Sequence, residues 1–398
     1  MLPPRTHSLL ANNPQLNGRI AILSPLGRNP GRPHGGITPV VVNLANQFVA
    51  AGMEVDLLVE RSLESNRPTQ LRPEIHVVEL GAKHTYKLLL SVLGYLHEAH
   101  PRVLLTAGHR YNKIGAWAKR LSKTPTRICL SIHNNVTRGL RSQGRFRRWR
   151  RWASMKLLYG WADNIIAVSE GVARDFAKNT GIDGSRIAVI HNPIATSDIE
   201  RRAREPIDHS WLEQKTTPVI MGMGRLARQK DFATLLRAFA KVRQRLDCRL
   251  IILGEGPDRP VLEALTVELG VEDAVSMPGF VSNPFAYLAR VDLFALSSAW
   301  EGFGNVLVEA LSVGVPVVAT DCESGPREIL DHGRFGSLVP VGDVDAMATA
   351  VIHQLGHPLD QATLRAAAAR FSAADVAGRY LEVFSSHPAE RPREPDPR

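Results

Sequence analysis

The chain has 398 residues, 44% apolar and 22% charged, with a formal net charge of +10. This is an ordinary globular balance, long enough for two domains of typical size. A membrane-spanning segment is excluded, because the longest apolar stretches are cut by Glu309, Gly314 and Pro316, short of about 20 uninterrupted apolar residues. Cys129, Cys248 and Cys322 are far apart without metal spacing, which points to a reducing compartment.

Residues 1–18 lack a hydrophobic signal core. Strand-like runs then follow at 19–24, 54–59, 76–80, 103–106, 127–132, 164–168 and 187–190, with helical patterns between them. Alternation of this kind predicts α/β layers. The loop at 25–34 is loaded with Gly, Pro and Arg and ends at Gly35 and Gly36, where backbone can approach a ligand. The same glycines could serve only the turn. His133 ends the fifth strand beside Asn134.

Charge is concentrated in one part of this half. Between Glu98 and Asp163 lie 64 residues with 15 Lys or Arg and no Asp or Glu, so the remainder of the chain carries a net −5. The densest portion, from Arg138 to Trp152, holds seven arginines interleaved with Phe146, Trp149 and Trp152. Aromatics at a spacing of three fall near one helical face, and basic residues near anionic headgroups contribute about 1 kcal/mol each. Contact with an anionic membrane surface ranks above a merely solvated basic face. Nucleic acid ranks last, because no recognisable nucleic-acid module surrounds the segment.

Residues 196–217 read as a polar, charged linker to a second half with strands at 219–221, 249–253, 275–277, 292–295 and 317–319. The first of these strands runs into Gly222, Met223 and Gly224, followed by Arg225, Lys230 and an amphipathic helix bearing Leu235, Leu236, Phe239 and Val242. Two cations thus leave the carboxyl end of a strand, where ligands bind in open α/β sheets. A planar Arg fork and a compact Lys charge suit a diphosphate; a lone pair of this kind also occurs as solvated surface.

Farther on, Trp300 to Leu311 reads WEGFGNVLVEAL after a strand. Gly302, Phe303, Gly304 and Asn305 fall at a helix N-terminus, whose free N–H groups and dipole favour an anion. Glu301 precedes that start, and Glu309 lies one turn inside, roughly 6 Å along the axis. Dipole compensation could account for Glu309 alone, at less than about 1 kcal/mol, but not for the cluster.

Asp343 and Asp345 match an Asp-x-Asp metal pattern, yet they open the helix predicted at 345–355, so capping and dipole compensation explain both. His97 and His100 lack companions for a zinc site. No essential metal or other cofactor is expected.

Several short motifs recur in a fixed order: Gly35-Gly36, Ser131-Ile132-His133-Asn134, Val168-Ser169-Glu170, His191-Asn192-Pro193, Gly224-Arg225-Leu226 with Lys230, Gly254-Glu255-Gly256-Pro257 and Pro278-Gly279-Phe280. With seven residues between Glu301 and Glu309, and Asp321 through Glu328 reading DCESGPRE, they resemble glycosyltransferase family 4 over nearly the whole chain. The last motif is similar to a subset acting on lipid-linked acceptors. The resemblance implies a GT-B fold: a first Rossmann-like acceptor domain (residues 1–195), a second nucleotide-sugar domain (196–374), a helix at 375–385 crossing back to the first, and a disordered tail (386–398).

The resemblance also implies a retaining transferase that moves a hexose or N-acetylhexosamine from a nucleotide sugar, a UDP-sugar, to a polyprenyl-diphosphate-linked glycan. Its expected place is cytoplasmic, peripheral on the inner face of the cell membrane. It assigns Arg225 and Lys230 to the departing diphosphate, Glu301 to donor-sugar hydroxyls and His133 to the sugar or attacking acceptor. Glu309 goes to the ribose, Phe303 and Gly304 to backbone contacts; Gly35, Gly36, Gly224, Phe280 and Asn305 complete the expected donor contacts. A sugar-nucleotide epimerase or a phosphorylase of the same fold would use the same diphosphate site.

Overall fold

The computed structural model describes residues 18–26, 36–63, 67–82, 84–135, 137 and 144–386. Gly35, part of the arginine-rich segment (residues 138–143) and most of the expected tail lie outside them. The chain forms two compact units, one comprising residues up to Pro193 together with those from Ala373 onward, the other Ile194–Ser372.

The first unit is built on β1 (Arg19–Leu23), β2 (Glu54–Val59), β3 (His76–Glu79), β4 (Val103–Ala107), β5 (Arg127–Ile132), β6 (Asn164–Ala167) and β7 (Ile187–Val189). They form a parallel sheet in the order β3-β2-β1-β4-β5-β6-β7. All five residues of β4, Val-Leu-Leu-Thr-Ala, are buried. That is the expected pattern where helices cover both faces of a parallel sheet.

The helix Ile37–Ala50 buries Val41, Leu44, Ala45 and Phe48, an i, i+3, i+4, i+7 stripe. The final helix, Ala373–Ser385, belongs to this same unit and packs on that stripe. Tyr380 and Phe384 meet the Phe48 ring at centroid distances of 6.4 and 5.8 Å, and the Arg127 guanidinium donates to the Phe384 carbonyl at 2.8 Å.

The second unit repeats the plan with β8 (Val219–Met223), β9 (Arg249–Leu253), β10 (Val275–Gly279), β11 (Leu293–Leu296), β12 (Val317–Thr320) and β13 (Ser337–Val339), ordered β10-β9-β8-β11-β12-β13, all parallel. Strand order reverses direction between β8 and β11. Crevices at such a point, outside the carboxyl ends of the strands, are where ligands bind in doubly wound sheets.

Two expectations are corrected here. Residues 196–217 are not a plain linker: they contain the helices Thr196–Ala203 and Ser210–Glu213. The first is held by Arg202, whose guanidinium lies 4.7 Å from the Phe285 ring centroid and donates to the Ser282 carbonyl at 2.7 Å. Its charged sequence hid the helix because only Ile199 faces inward. Strand β13 was not foreseen, since three residues after Gly336 carry too short a signal to separate from a loop.

Candidate active site

The loops after β8 and β11 are neighbours because these strands pair directly, Ile220 with Leu293 and Met221 with Phe294. They are tied together by backbone and side-chain bonds. The Ala299 amide donates to the Gln229 carbonyl at 2.8 Å, the Gln229 carboxamide to the Trp300 carbonyl at 3.0 Å, and the Ser297 hydroxyl to the Lys230 carbonyl at 2.8 Å. Sequence pattern does not single out Gln229, Ser297 or Ser298; for the two serines the signal is a pair of hydroxyl residues just after an apolar strand.

This scaffold brings Lys230 and Glu301 into contact. Lys230 Nζ lies 2.6 Å from Glu301 Oε1, and both side chains are largely shielded. The Ser298 hydroxyl donates to the same carboxylate oxygen at 2.7 Å. Two residues assigned to different parts of the donor are therefore ion-paired to each other. Arg225 is exposed and makes no hydrogen bond or ion pair among the described residues, so its fork is open to an anion.

Glu309 is half-buried on the helix Asn305–Ser312, where its carboxyl accepts no hydrogen bond from the described residues. Burial raises its pKa to about 7, opposed by the nearby charges of Lys230 and Arg202. Gly304 caps the helix at a φ of 104°, a left-handed conformation that suits glycine. Phe303 is buried, its ring meeting that of Phe371 at 5.4 Å. Its carbonyl sits so close to Gly325 that a Cβ there would fall 1.7 Å from the oxygen.

The Gly224 carbonyl is approached in the same way: a Cβ on Gly254 would come within 1.9 Å of its oxygen, so position 254 must be glycine. Phe280 stands apart. It is exposed just beyond β10, at the sheet margin, two strands from β8.

In the first unit, His133 follows β5 at the carboxyl edge. The residue is half-buried, yet both ring nitrogens are shielded from solvent and unpaired among the described residues. Burial lowers its pKa to about 4, a shift the Asn192 side chain opposes while standing short of a formed hydrogen bond. The ring is therefore a neutral imidazole, with one donor and one acceptor nitrogen. Gly36 adopts an ordinary helical φ of −55°, and a Cβ there would meet nothing within 4 Å among the described residues, so the turn itself does not require glycine.

Asp343 caps the helix Val344–Gly356 by accepting from the Ala346 amide at 2.9 Å, and Asp345 pairs with Lys241. Among the described residues no three His, Cys, Asp or Glu side chains come together as a metal site.

Two family models match this chain. Residues 34–198 match Glycosyltransferase Family 4, and residues 217–357 match Glycosyl transferases group 1, between them more than three quarters of the sequence. The chain belongs to glycosyltransferase family 4.

Curated relatives include the N-acetylgalactosamine-N,N'-diacetylbacillosaminyl-diphospho-undecaprenol 4-alpha-N-acetylgalactosaminyltransferase of Campylobacter jejuni. It is 38% identical over 193 residues, covering 48% of this chain and 51% of that protein. The lipopolysaccharide 1,6-galactosyltransferase of Escherichia coli is 30% identical over 192 residues, 47% of this chain and 51% of that one. The matched part spans about half the length of these curated relatives.

Among solved structures, Anabaena Alr3699/HepE in complex with UDP superposes with a TM-score of 0.74 at 21% identity over 92% of this chain and 99% of that one. Sucrose-phosphate synthase of Thermosynechococcus elongatus gives 0.73 at 20% identity, with 92% and 98% covered. These neighbours share the fold, which is GT-B.

Proposed function

We propose that this family 4 protein is a retaining glycosyltransferase that moves a hexose or N-acetylhexosamine from a UDP-sugar to a polyprenyl-diphosphate-linked glycan. The observation that carries the reading is the convergence of Arg225, the Lys230–Glu301 pair and Glu309 at the strand-order reversal of the second unit. The UDP held by a protein of the same fold, and the diphospho-undecaprenol acceptor named for the Campylobacter relative, support the choice of donor and acceptor.

As the glycosidic phosphate bond breaks, negative charge develops on the diphosphate. Arg225, Lys230 and the helix N-terminus at Asn305 are the groups suited to stabilise it, without an essential metal. Glu301, released from Lys230 as the diphosphate takes over that cation, is placed to accept from sugar hydroxyls. Glu309 would accept from the ribose, and Gly224, Phe303, Gly304 and Phe280 would border the donor. His133, neutral at physiological pH, would hydrogen-bond the sugar or the incoming acceptor hydroxyl. The domain assignment of acceptor to residues 1–195 and donor to 196–374 belongs to the same proposal.

No helix among the described residues is long and apolar enough to cross a membrane. The acceptor would be reached at the inner membrane face through the helix Arg145–Tyr159, on which Phe146 and Trp149 are 69% and 65% exposed and stacked at 6.1 Å. The expected third aromatic, Trp152, is half-buried; exposed Leu157 joins the outward face instead, since positions 146, 149, 153 and 157 fall on one side of a helix.

Incubation with a panel of nucleotide sugars, with and without a polyprenyl-diphosphate glycan, tests the reading. Acceptor-dependent product with the donor's anomeric configuration supports it. Acceptor-independent conversion of the sugar nucleotide, or inversion, refutes it.

A further inference from the structure

The first unit holds a second set of cations for which the described residues supply no counter-charge. The helix His109–Leu121 and the helix Arg145–Tyr159 pack together, and His109 Nδ1 lies 3.0 Å from the Tyr159 hydroxyl. Lys113 is one turn beyond His109, and Arg151 lies about two turns before Tyr159. Lys113 and Arg151 are both half-buried, and Arg150 is exposed beside them.

No ion pair or side-chain hydrogen bond engages Lys113, Arg150 or Arg151 among the described residues, and the Arg151 Nε is shielded from solvent with no partner. Residues 99 to 162 contain no acid, and the acids that reach the helix His109–Leu121 from outside that span, Glu60 and Asp163, pair with Arg110 and Lys119 instead. The three cations also feel one another. Burial, then Arg151 and Arg150, pull the Lys113 pKa down, and burial, then Arg151 and Lys113, take His109 down to about 3. Shielded donors and mutually repelling cations are costly to hold together unless an anion from outside the chain joins them.

We propose that Lys113, Arg150 and Arg151 form a binding site for a phosphate-bearing group, separate from the donor site of the second unit. The inference deepens the reading of the first unit as the acceptor side: a polyprenyl-diphosphate glycan presents such a group beside its lipid, and an anionic phospholipid presents one on its head. A planar guanidinium pair and a lysine point charge match phosphate oxygens.

Isothermal titration with inorganic pyrophosphate, in the presence of saturating UDP to occupy the donor site, tests it. The wild-type protein is expected to bind pyrophosphate, and Lys113→Gln and Arg150→Gln each to weaken that binding at least tenfold. Each of the two substitutions removes a repelled charge, so both variants are expected to melt no lower than wild type.

Farnesyl diphosphate and phosphatidylglycerol vesicles, each titrated against wild type and Lys113→Gln, separate the sources. Loss confined to farnesyl diphosphate identifies the acceptor diphosphate, and loss confined to vesicles identifies a lipid headgroup. No pyrophosphate binding to wild type under saturating UDP, or equal binding by the two first-unit variants, overturns the site. Failure of the donor reading would instead appear as absent UDP binding, with the effect of Lys113→Gln on pyrophosphate intact.

Discussion

Lys230 and Glu301 share a contact of 2.6 Å in the second unit, so the cation expected to meet the departing diphosphate is already neutralised by the acid expected to meet the sugar. The pair holds the loops after β8 and β11 in register before any donor arrives. A bound diphosphate would then draw Lys230 away and free Glu301, coupling donor entry to the arrangement of the sugar site.

Lys230→Ala is expected to lower kcat/KM by roughly 30- to 1000-fold, the scale of about 2–4 kcal/mol of lost transition-state stabilisation. It should also lower stability by up to about 3–5 kcal/mol, because Glu301 is left shielded without its cation. Adding Glu301→Gln should recover much of the stability and none of the turnover. Denaturant melts and steady-state kinetics on the two single variants and the double variant check both halves. Near-normal kcat/KM in folded Lys230→Ala would rule out the leaving-group role.

Glu309 gives a pH signature of opposite sign to an ordinary surface carboxylate. Its pKa of about 7 in the folded chain, raised by burial, lies above the unfolded value of about 4.3. Between these values the folded state holds a proton that the unfolded state has lost, so the stabilisation present below pH ~4 is lost as pH rises through 7. Glu309→Gln should remove this dependence. Its gain over wild type should be on the order of 1–3 kcal/mol at pH 8, after discounting for partial exposure, and near zero at pH 4. Thermal melts at the two pH values decide it; an equal difference at both would show that Glu309 is not the group titrating. The same variant is expected to bind UDP more weakly.

Metal independence follows from using Arg225, Lys230 and backbone donors for the diphosphate. Turnover is expected to persist in EDTA. Complete loss restored by magnesium or manganese would bring Asp343 and Asp345 back into consideration, although Asp343 is occupied as a helix cap and Asp345 by Lys241.

The two wound sheets were legible because their buried strands are uninterrupted apolar runs bounded by glycine and charge. Arg127–Ile132 and Arg249–Leu253 are strands over the spans expected from sequence. Glu301, Glu309 and Lys230 were legible as charges placed at strand ends and helix starts. Their pairing was not, because Lys230 and Glu301 are 71 residues apart and meet only through the register of β8 with β11. The helix Thr196–Ala203 was hidden for a different reason: Arg202 anchors it through a contact with Phe285 that local pattern cannot show. Trp152 does not continue the stripe of Phe146 and Trp149, although its spacing of three from Trp149 suggests it. Over two such steps, six residues advance about 600°, which carries position 152 roughly 120° around the helix from Phe146.

That last correction sharpens the membrane prediction. The outward face of Arg145–Tyr159 carries Phe146, Trp149 and Leu157, flanked by Arg147 and Arg150, while Met155, Leu158 and Tyr159 face inward. Apolar side chains would enter the headgroup region while the arginines meet anionic phosphates, about 1 kcal/mol for each basic residue near the surface. Attraction of this kind weakens as the Debye length falls from about 10 Å at 0.1 M salt to about 3 Å at 1 M. The wild-type chain is therefore expected to sediment with phosphatidylglycerol vesicles at low salt and to be largely released at 1 M. Phe146→Ser with Trp149→Ser should reduce binding at every salt concentration, whereas Arg145→Ser with Arg147→Ser should remove mainly its salt-sensitive part. UDP binding should be unchanged in both, since none of these residues belongs to the second unit. Wild-type protein that ignores anionic vesicles at low salt, or double variants that bind them as well as wild type, would show that this helix face serves another purpose.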